Sequence, residues 1–214
     1  MKFSIITVVK DEISKIGLTI QSLKNQSFKD YEHIIFDGES TGTSEFLKKK
    51  ISNKKTLHFR ENDRGVYDAL NKSFKKAKGE YLIVLHSGDF FYSKHSLNLL
   101  SKFIAKNKNY DFYFSNILFY SQENKNISRV WKISSKNDDK LNFLKIAHTS
   151  LCVKKNIYKK NFYNEKYKIS ADMDYLFKLC QNFKGKYFDN FFIYMEDQGL
   201  SNSKVFSYKT KRRF

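Results

Sequence analysis

Apolar residues follow two alternating patterns between Lys2 and Leu85. Short apolar runs rich in β-branched and aromatic residues are typical of buried strands, whereas apolar residues every three or four positions are typical of amphipathic helices. The strand pattern covers Lys2–Val9, Tyr31–Phe36, Thr56–Arg60 and Tyr81–Leu85, and the helix pattern covers Glu12–Lys24, Glu45–Lys50 and Arg64–Lys78, which Gly79 closes. This alternation predicts an α/β fold, Rossmann-like, with a mostly parallel sheet and helices on both faces.

The second part of the chain has a looser pattern and predicts a smaller, mixed region. Its predicted elements are a helix around Leu97–Ile104, two antiparallel strands at Asp111–Tyr120 and Ile127–Lys132, a helix at Asp172–Phe183 and a last strand at Tyr187–Tyr194. We expect one domain over residues 1–214, with a nucleotide-binding half at 1–95, a second-substrate half at 96–200 and a basic tail at 201–214.

Polar turns follow all four predicted strands of the first half. They contain Lys10-Asp11-Glu12, Asp37-Gly38-Glu39-Ser40, Glu61–Gly65 and His86-Ser87-Gly88-Asp89. Ligands of open α/β sheets bind outside the carboxyl ends of the strands, so these turns predict a binding site.

Two of the turn carboxylates have a structural and a functional interpretation. Asp37 could accept hydrogen bonds from a ribose or base, although Asp-Gly is also a common turn. Asp89 could cap the next segment, or it could bind Mg²⁺ or Mn²⁺, which needs only one or two protein carboxylates when phosphates and waters complete the shell. In either role Asp89 is expected to be a hydrated turn residue.

Two carboxylates at the start of a predicted helix suggest acid–base chemistry. Asp172 and Asp174 are two positions apart and therefore face different surroundings. Asp172 is either the N-cap of the helix or a general base. Together with His148-Thr149-Ser150 it could also suggest a Ser/His/Asp hydrolase, but the chain has no Gly-x-Ser-x-Gly motif.

Composition limits the class of protein and suggests an anionic partner. Apolar residues make up 41% of the chain, which excludes a disordered protein, and no run reaches the roughly 18–20 apolar residues of a membrane helix. Because the first apolar run is too short for a secretory signal, we expect a cytoplasmic protein. Cys152 and Cys180 stand in apolar contexts without metal-ligand spacing, so we expect both to be small buried hydrophobes. The formal net charge of +18 suggests nucleic acid, an anionic membrane or compositional bias, and the tail "YKTKRRF" favours a surface-binding role over compositional bias.

Five segments in a fixed order resemble the family 2 glycosyltransferases of the GT-A fold, of the kind that build bacterial surface polysaccharides. They are "SIITVVKDE", "SLKNQSFKDYEHIIFDGESTGT", "ENDRGVYDALNKSFKKAKGEYLIVLHSGD", "ISADMDYLFKL" and "QGLS". The most specific is Asp63–Asn71 followed by Gly79-Glu80-Tyr81.

The resemblance implies a role for individual residues. On the donor side, Thr7 and Val9 would line the pocket for the nucleobase, and Asp37 would contact the base or the ribose. Asp63 and Asn71 would lie around the nucleotide. Ser87 and Gly88 would give the diphosphate room, and Asp89 would bind the metal. On the acceptor side, Asp172 would be the catalytic base of an inverting enzyme, and His148 and Asp174 would lie near the acceptor or diphosphate. The chain departs from the pattern at His86 and Gly88, which replace earlier acids of the metal signature, and at Ala171, which replaces a glutamate.

The expected function is therefore an inverting, Mg²⁺- or Mn²⁺-dependent glycosyltransferase of surface polysaccharide biosynthesis, such as lipopolysaccharide or capsule. Its expected partners are a nucleotide-diphosphate sugar, with UDP favoured, a lipid-linked or oligosaccharide acceptor, and the anionic inner face of the cytoplasmic membrane, but no nucleic acid. The alternatives are a nucleic-acid-binding protein, an inactive glycosyltransferase homologue, and a nucleotidyltransferase, for which "VVKDEISKIG" supplies no Gly-rich phosphate loop.

Overall fold

A computed structural model describes residues 1–51, 54–133, 142–158 and 162–197. Its strands are β1 Phe3–Val9, β2 Tyr31–Asp37, β3 Thr56–Arg60, β4 Tyr81–Val84, β5 Phe90–Phe91, β6 Phe112–Ser121, β7 Asn126–Trp131, β8 Cys152–Lys154 and β9 Gly185–Glu196. Its α-helices are α1 Ile13–Lys24, α2 Thr43–Lys50, α3 Val66–Lys76, α4 Ser96–Lys106, α5 Lys155–Tyr158 and α6 Ala171–Asn182, with short 3₁₀ turns at Phe143–Lys145 and His148–Ser150.

The strands of the described residues form one sheet in the order β3-β2-β1-β4-β8-β6-β9-β5, and β7 pairs with β6. The first four strands are parallel, which confirms the predicted α/β fold. Beyond β4 the sheet is mixed, because β8 runs antiparallel to both β4 and β6 while β9 runs parallel to β6. The predicted antiparallel pairing of β6 with β7 is also confirmed.

Alternate residues of β1 point to opposite faces of the sheet and belong to two separate parts of the core. Ile5 packs in a cluster with residues of α1 and α4, such as Leu23 and Leu100. Ile6 packs in another cluster with residues of α3 and α6, such as Phe74. Helices therefore cover both faces, as the hydrophobic pattern predicts.

Three short elements, β5, β8 and α5, were not predicted, and one glycine has a different role from the one predicted. Helix α3 ends at Lys76, and the residue that caps it is Ala77. Gly79 lies against the backbone of β1, where an added Cβ would be 2.5 Å from the amide nitrogen of Ser4. The prediction that Gly79 closes the helix is wrong, because this glycine is needed for close approach of two backbone segments.

Other expectations concern the surface and the chain end. Cys152 is a buried free cysteine, as predicted, whereas Cys180 is only half-buried, so the prediction of a buried Cys180 is wrong. Within the described ranges, no helix is long and apolar enough to span a bilayer. The "QGLS" segment and the basic tail lie outside the described residues.

Candidate active site

The polar turns that follow β1, β2 and β3 meet at one edge of the sheet. The Asp11 amide donates to Ser40 Oγ, and the Thr41 amide donates to Asp11 Oδ1, both at 2.8 Å. Gly38 lies directly under the carboxylate of Asp63, because a Cβ at this position would overlap the Asp63 side chain. The parallel sheet thus brings together three turns that are distant in sequence.

Asp37 is fully buried at the end of β2 and organises the turn that follows. Its Oδ1 accepts from the Ser40 amide at 2.8 Å, and its Oδ2 accepts from the Ser44 hydroxyl at 2.6 Å. Burial acts to raise the pKa of this carboxyl group, but the hydrogen bonds from Ser40 and Ser44 outweigh burial and lower the pKa. Asp37 is therefore an ionised carboxylate that holds the loop, and its contact with a nucleotide stays a prediction.

Thr7 and Val9 are buried in β1 rather than open to a pocket. Thr7 Oγ1 donates to the Leu85 carbonyl at 2.7 Å and lies 2.9 Å from His33 Nε2. Val9 packs in a small core cluster between β2, α1 and α2. These side chains shape the end of the strand from inside, and the predicted base contact is untested.

Asp63 and Asn71 lie at different places. Asp63 Oδ1 accepts from the Gly65 amide at 2.9 Å and stays at the strand-end edge beside Gly38. Asn71 is buried on α3, where its amide donates to the Tyr163 carbonyl and accepts from the Tyr163 amide, both at 3.0 Å. The Asn71 side chain thus anchors the segment around Tyr163, and its predicted contact with a nucleotide is untested.

Asp89 is buried after β4, with 3% of its surface exposed, so the expectation of a hydrated turn carboxylate is wrong. Its Oδ1 accepts from the Glu196 amide at 2.9 Å. Burial, together with the carboxylates of Glu196 and Glu12, raises the pKa of Asp89 to about 8. Gly88 adopts a φ of +95°, and a Cβ there would be 2.7 Å from Glu196 Oε2.

Among the described residues, one buried carboxylate oxygen of this turn, Asp89 Oδ2, lacks a hydrogen-bond partner. An orphaned carboxylate oxygen with a raised pKa lacks a counter-charge, which a divalent cation would supply. The described part of the chain contains no cluster of three or more His, Cys, Asp or Glu side chains arranged for a metal. A single carboxylate oxygen can hold Mg²⁺ or Mn²⁺ only where phosphate and water supply the other ligands.

The carboxylate of Asp172 lies at a junction of α6 and α3. Its Oδ1 accepts from the Tyr67 hydroxyl at 3.1 Å and from the Met173 amide at 3.0 Å. Ser170 is the residue that caps α6, so the alternative in which Asp172 is the N-cap is wrong. Asp174 faces elsewhere and pairs with Lys178 at 2.6 Å.

Two imidazoles lie near Asp172. The rings of His86 and His148 are 6.3 Å apart, and His148 Nε2 is hydrogen-bonded to the Tyr163 hydroxyl. Burial lowers the pKa of His86 to about 4, and it also lowers the pKa of His148 against the opposing charge of Asp172. Both rings are therefore neutral at physiological pH.

Sequence reasoning missed Tyr67, Tyr163 and the position of His86 beside Asp172. Tyr67 belongs to the Asp63–Asn71 motif, which was the available signal. Tyr163 carries no such signal. His86 belongs to a polar turn that predicts a binding site, but its proximity to Asp172 depends on the packing of separate elements. Together with Asp172 and His148 they form a site that can accept a proton at a carboxylate beside neutral rings.

Comparison with known proteins shows what the chain is similar to. The family model described as Glycosyl transferase family 2 matches residues 4–176. A PGL/p-HBAD biosynthesis glycosyltransferase of Mycobacterium bovis is 25% identical over 185 residues, covering 84% of this chain and 70% of the relative. An uncharacterized glycosyltransferase of Methanocaldococcus jannaschii is 30% identical over 178 residues, covering 77% of this chain and 59% of the relative.

Solved structures show the same fold. The structure of S. aureus TarS 1-349 in complex with UDP-GlcNAc has a TM-score of 0.76 and 20% identity, covering 93% of this chain and 59% of that chain. The mannosyltransferase PcManGT from Pyrobaculum calidifontis, in complex with GDP-Man and Mn²⁺, has a TM-score of 0.68 and 13% identity, covering 99% of this chain and 60% of that chain. The chain thus spans about 60% of the length of these structures.

Proposed function

The chain belongs to glycosyl transferase family 2 and is a glycosyltransferase, and from this premise we propose that it transfers a sugar with inversion, using Asp172 as the base. The observation that supports this proposal is the environment of Asp172. One of its oxygens accepts from the Tyr67 hydroxyl and the Met173 amide, while neighbouring Asp174 is paired with Lys178. Of the two carboxylates, Asp172 is thus the one that lies beside the rings of His86 and His148 and accepts hydrogen bonds from a phenol and a backbone amide.

The proposed reaction is a single displacement at the anomeric carbon. The acceptor oxygen forms the new bond to this carbon, the bond from the carbon to the diphosphate oxygen breaks, and the nucleoside diphosphate leaves. The acceptor O–H proton moves to Asp172, which a positioned carboxylate can accept within hydrogen-bond reach. Attack from the face opposite the leaving group inverts the configuration.

The donor would bind at the strand-end edge. Asp37 and Asp63 would face the nucleoside, and Ser87, Gly88 and Asp89 would lie at the diphosphate. A divalent ion held by Asp89 would neutralise charge on the leaving diphosphate. The orphaned Oδ2 of Asp89 supports this assignment, as does the Mn²⁺ in the PcManGT complex.

UDP is the favoured nucleotide and a surface glycan the favoured acceptor. TarS, which shares the fold, has been solved with UDP and with UDP-GlcNAc. The M. bovis relative is named for PGL/p-HBAD biosynthesis, which supports a biosynthetic role. The net charge of +18 supports a peripheral position on an anionic membrane, at its cytoplasmic face, where a lipid-linked oligosaccharide acceptor would lie.

The two halves would then divide the reaction within a single domain. Residues 1–95 would hold the donor, and residues 96–200 would hold the acceptor, with His148 beside it. The sheet continues through both halves in the described residues, which supports a single domain.

Paired variants of the two carboxylates of α6 test the base. We expect Asp172→Asn to lower turnover by roughly 10²–10⁴-fold, since this is the usual effect of removing a positioned base, while donor binding is retained. Asp174→Asn should change turnover far less, because it removes a pair with Lys178 at the surface. Turnover and donor affinity are measured on both variants with UDP-, GDP- and dTDP-sugars. Near-normal turnover of Asp172→Asn would reject the proposed base, and His148 would be tested next.

A further inference from the structure

Building on the proposed function, we propose that Tyr67 is a positioning residue that orients the Asp172 carboxylate and stabilises its ionised form. Tyr67 is the second residue of α3, and Asp172 is the second residue of α6. The two are 105 positions apart in sequence, and the phenol O–H donates to Asp172 Oδ1 at 3.1 Å. This contact links the helix of the donor half to the carboxylate that receives the proton.

The hydrogen bonds divide the two oxygens of Asp172 between different tasks. Oδ1 accepts from Tyr67 and from the Met173 amide, and these two donors fix the plane of the carboxylate. Across the described ranges, no hydrogen bond reaches Oδ2. Oδ2 is therefore the oxygen left to accept a proton from a substrate hydroxyl, and its direction is set by what holds Oδ1.

Tyr67 is itself held in place by aromatic packing. Its ring lies 5.4 Å from that of Tyr163, centroid to centroid. The Tyr163 backbone is anchored in turn by two hydrogen bonds to the buried Asn71 amide. Since Asn71 and Tyr67 are both on α3, the phenol has a rigid support and loses little side-chain freedom when it holds Asp172.

Other ionisable groups around Asp172 do not replace this donor. His148 and His86 approach from the 3₁₀ turn at His148–Ser150 and from the turn after β4, and both imidazoles are neutral because burial lowers their pKa. The Tyr163 hydroxyl is engaged with His148, and on α6 the charge of Asp174 is paired with Lys178. Burial and the charge of Asp172 raise the pKa of Tyr67 to about 12, so its O–H remains a donor over the whole working range.

The test is the pH–rate profile of Tyr67→Phe, which keeps the ring and removes only the hydroxyl. Losing a donor to the ionised carboxylate disfavours that form, so the acidic limb of kcat/KM should move to higher pH by roughly half to one pH unit. The kcat at neutral pH should fall by roughly tenfold. The KM for the donor sugar should stay unchanged, because the hydroxyl that is removed donates to Asp172, the proposed catalytic base.

Tyr175→Phe is the matched control. It removes a phenol hydroxyl from the same aromatic cluster and from the same helix as Asp172, and this hydroxyl makes no hydrogen bond to Asp172. We expect the acidic limb of the kcat/KM profile of Tyr175→Phe to match that of the parent protein. A common melting temperature for the parent and both variants would exclude unfolding as the cause of any loss.

The outcomes separate the two proposals. A lower kcat in Tyr67→Phe with an unmoved acidic limb would overturn the positioning role and leave Asp172 as the base. A shift of equal size in Tyr175→Phe would also overturn it. If Asp172→Asn keeps near-normal turnover, it is the proposed function that fails, whatever Tyr67→Phe does.

Discussion

At the scale of single residues, the buried carboxylate of Asp89 is only half satisfied by hydrogen bonds. One of its oxygens accepts from the Glu196 amide, and the other has no partner among the described residues. An orphaned, buried carboxylate costs free energy unless a proton or a cation neutralises it. If Asp89 binds the metal of the donor complex, as proposed, the stability of the turn depends on whether the donor site is occupied.

The first prediction at this scale concerns Asp89→Asn. The amide keeps the shape and the acceptor for Glu196 but removes the charge, so the added stabilisation that Mn²⁺ gives in the presence of UDP should be lost. For the parent protein, ligand at a hundredfold excess over Kd stabilises by about 2.7 kcal/mol. Thermal unfolding with UDP, with and without Mn²⁺, measures the difference.

Glu80→Gln is the control for Asp89. Glu80 precedes β4, at the opposite end of the strand from Asp89, and pairs with Lys2 at 3.2 Å on the surface. Its substitution should leave the Mn²⁺ effect intact. Equal Mn²⁺-dependent stabilisation of Asp89→Asn and the parent would contradict the metal assignment.

A second prediction at this scale concerns His33, which is buried in β2 beside Thr7. Burial lowers its pKa from 6.5 to about 3. The unfolded chain therefore binds a proton below pH 6.5 that the folded protein excludes, and stability present above pH 6.5 is lost as the pH falls towards 3. Each pH unit in this window should reduce the unfolding free energy by about 1.4 kcal/mol for this residue.

Urea unfolding between pH 7 and 4.5 measures this slope. The variant His33→Gln should have a shallower pH dependence by about one proton, even if its stability at pH 7 is lower. His95→Gln, which changes an exposed histidine beside Ser27, should keep the slope of the parent. If His33→Gln also keeps it, the acid sensitivity comes from another group, such as His86.

At the scale of elements, the approach of the loop after α3 to β1 positions the central strands. The Gly79 amide donates to Ser4 Oγ at 2.8 Å, and Ser4 Oγ donates to the buried Glu32 at 2.5 Å. The Lys78 amide donates to the same Glu32 oxygen at 2.6 Å. This buried network ties the starts of β1, β2 and β4 together and fixes the direction in which their other ends present the site.

The third prediction compares two glycines with opposite expected effects. Gly79→Ala places a Cβ 2.5 Å from the Ser4 amide nitrogen, so backbone must shift, and we expect destabilisation of roughly 1–3 kcal/mol. Gly17→Ala places a Cβ in α1 no closer than 3.6 Å to Phe46, so we expect stabilisation of roughly 0.5–1 kcal/mol from helix propensity. Denaturant unfolding of both variants tests the pair, and effects of the same sign would contradict it.

At the scale of the whole molecule, the excess of positive charge is the largest unexplained property. The chain has 40 Lys and Arg against 22 Asp and Glu, and part of the excess lies in the tail, outside the described residues. Exposed charges of one sign attract an anionic surface over about a Debye length, which is roughly 8 Å at physiological salt. A glycosyltransferase with a lipid-linked acceptor would use this attraction to stay near its substrate.

The fourth prediction is that truncation after Ser207 weakens binding to anionic vesicles. It removes Lys209, Lys211, Arg212 and Arg213, each worth about 1 kcal/mol near such a surface. Co-sedimentation with anionic vesicles should fall and depend less on salt, while transfer to a soluble acceptor stays unchanged. Neutral vesicles are the control. If the full-length and truncated proteins bind anionic vesicles equally, the positive charge of the tail reflects compositional bias.

The sequence by itself determined the alternation of strands and helices, the parallel direction of the strands in the first half, and the family. These properties depend on short-range patterns, because the period of apolar residues differs between a strand and a helix and the motif residues lie within single turns. Asp172 was also singled out in this way, from its motif, and its role as the base stays a proposal. The polar turns after β1, β2 and β3 could be expected to meet, since parallel strands bring their carboxyl ends to one edge.

Only the tertiary structure decided which side chains touch across the sheet. It placed β8 between β4 and β6, buried Asp89 against Glu196, brought Tyr67 to Asp172 and pressed Gly79 against Ser4. Each contact joins residues far apart in the chain, and its existence depends on how whole elements pack. Local periodicity carries no information about that packing, so burial, partners and pKa become known only when the fold is complete.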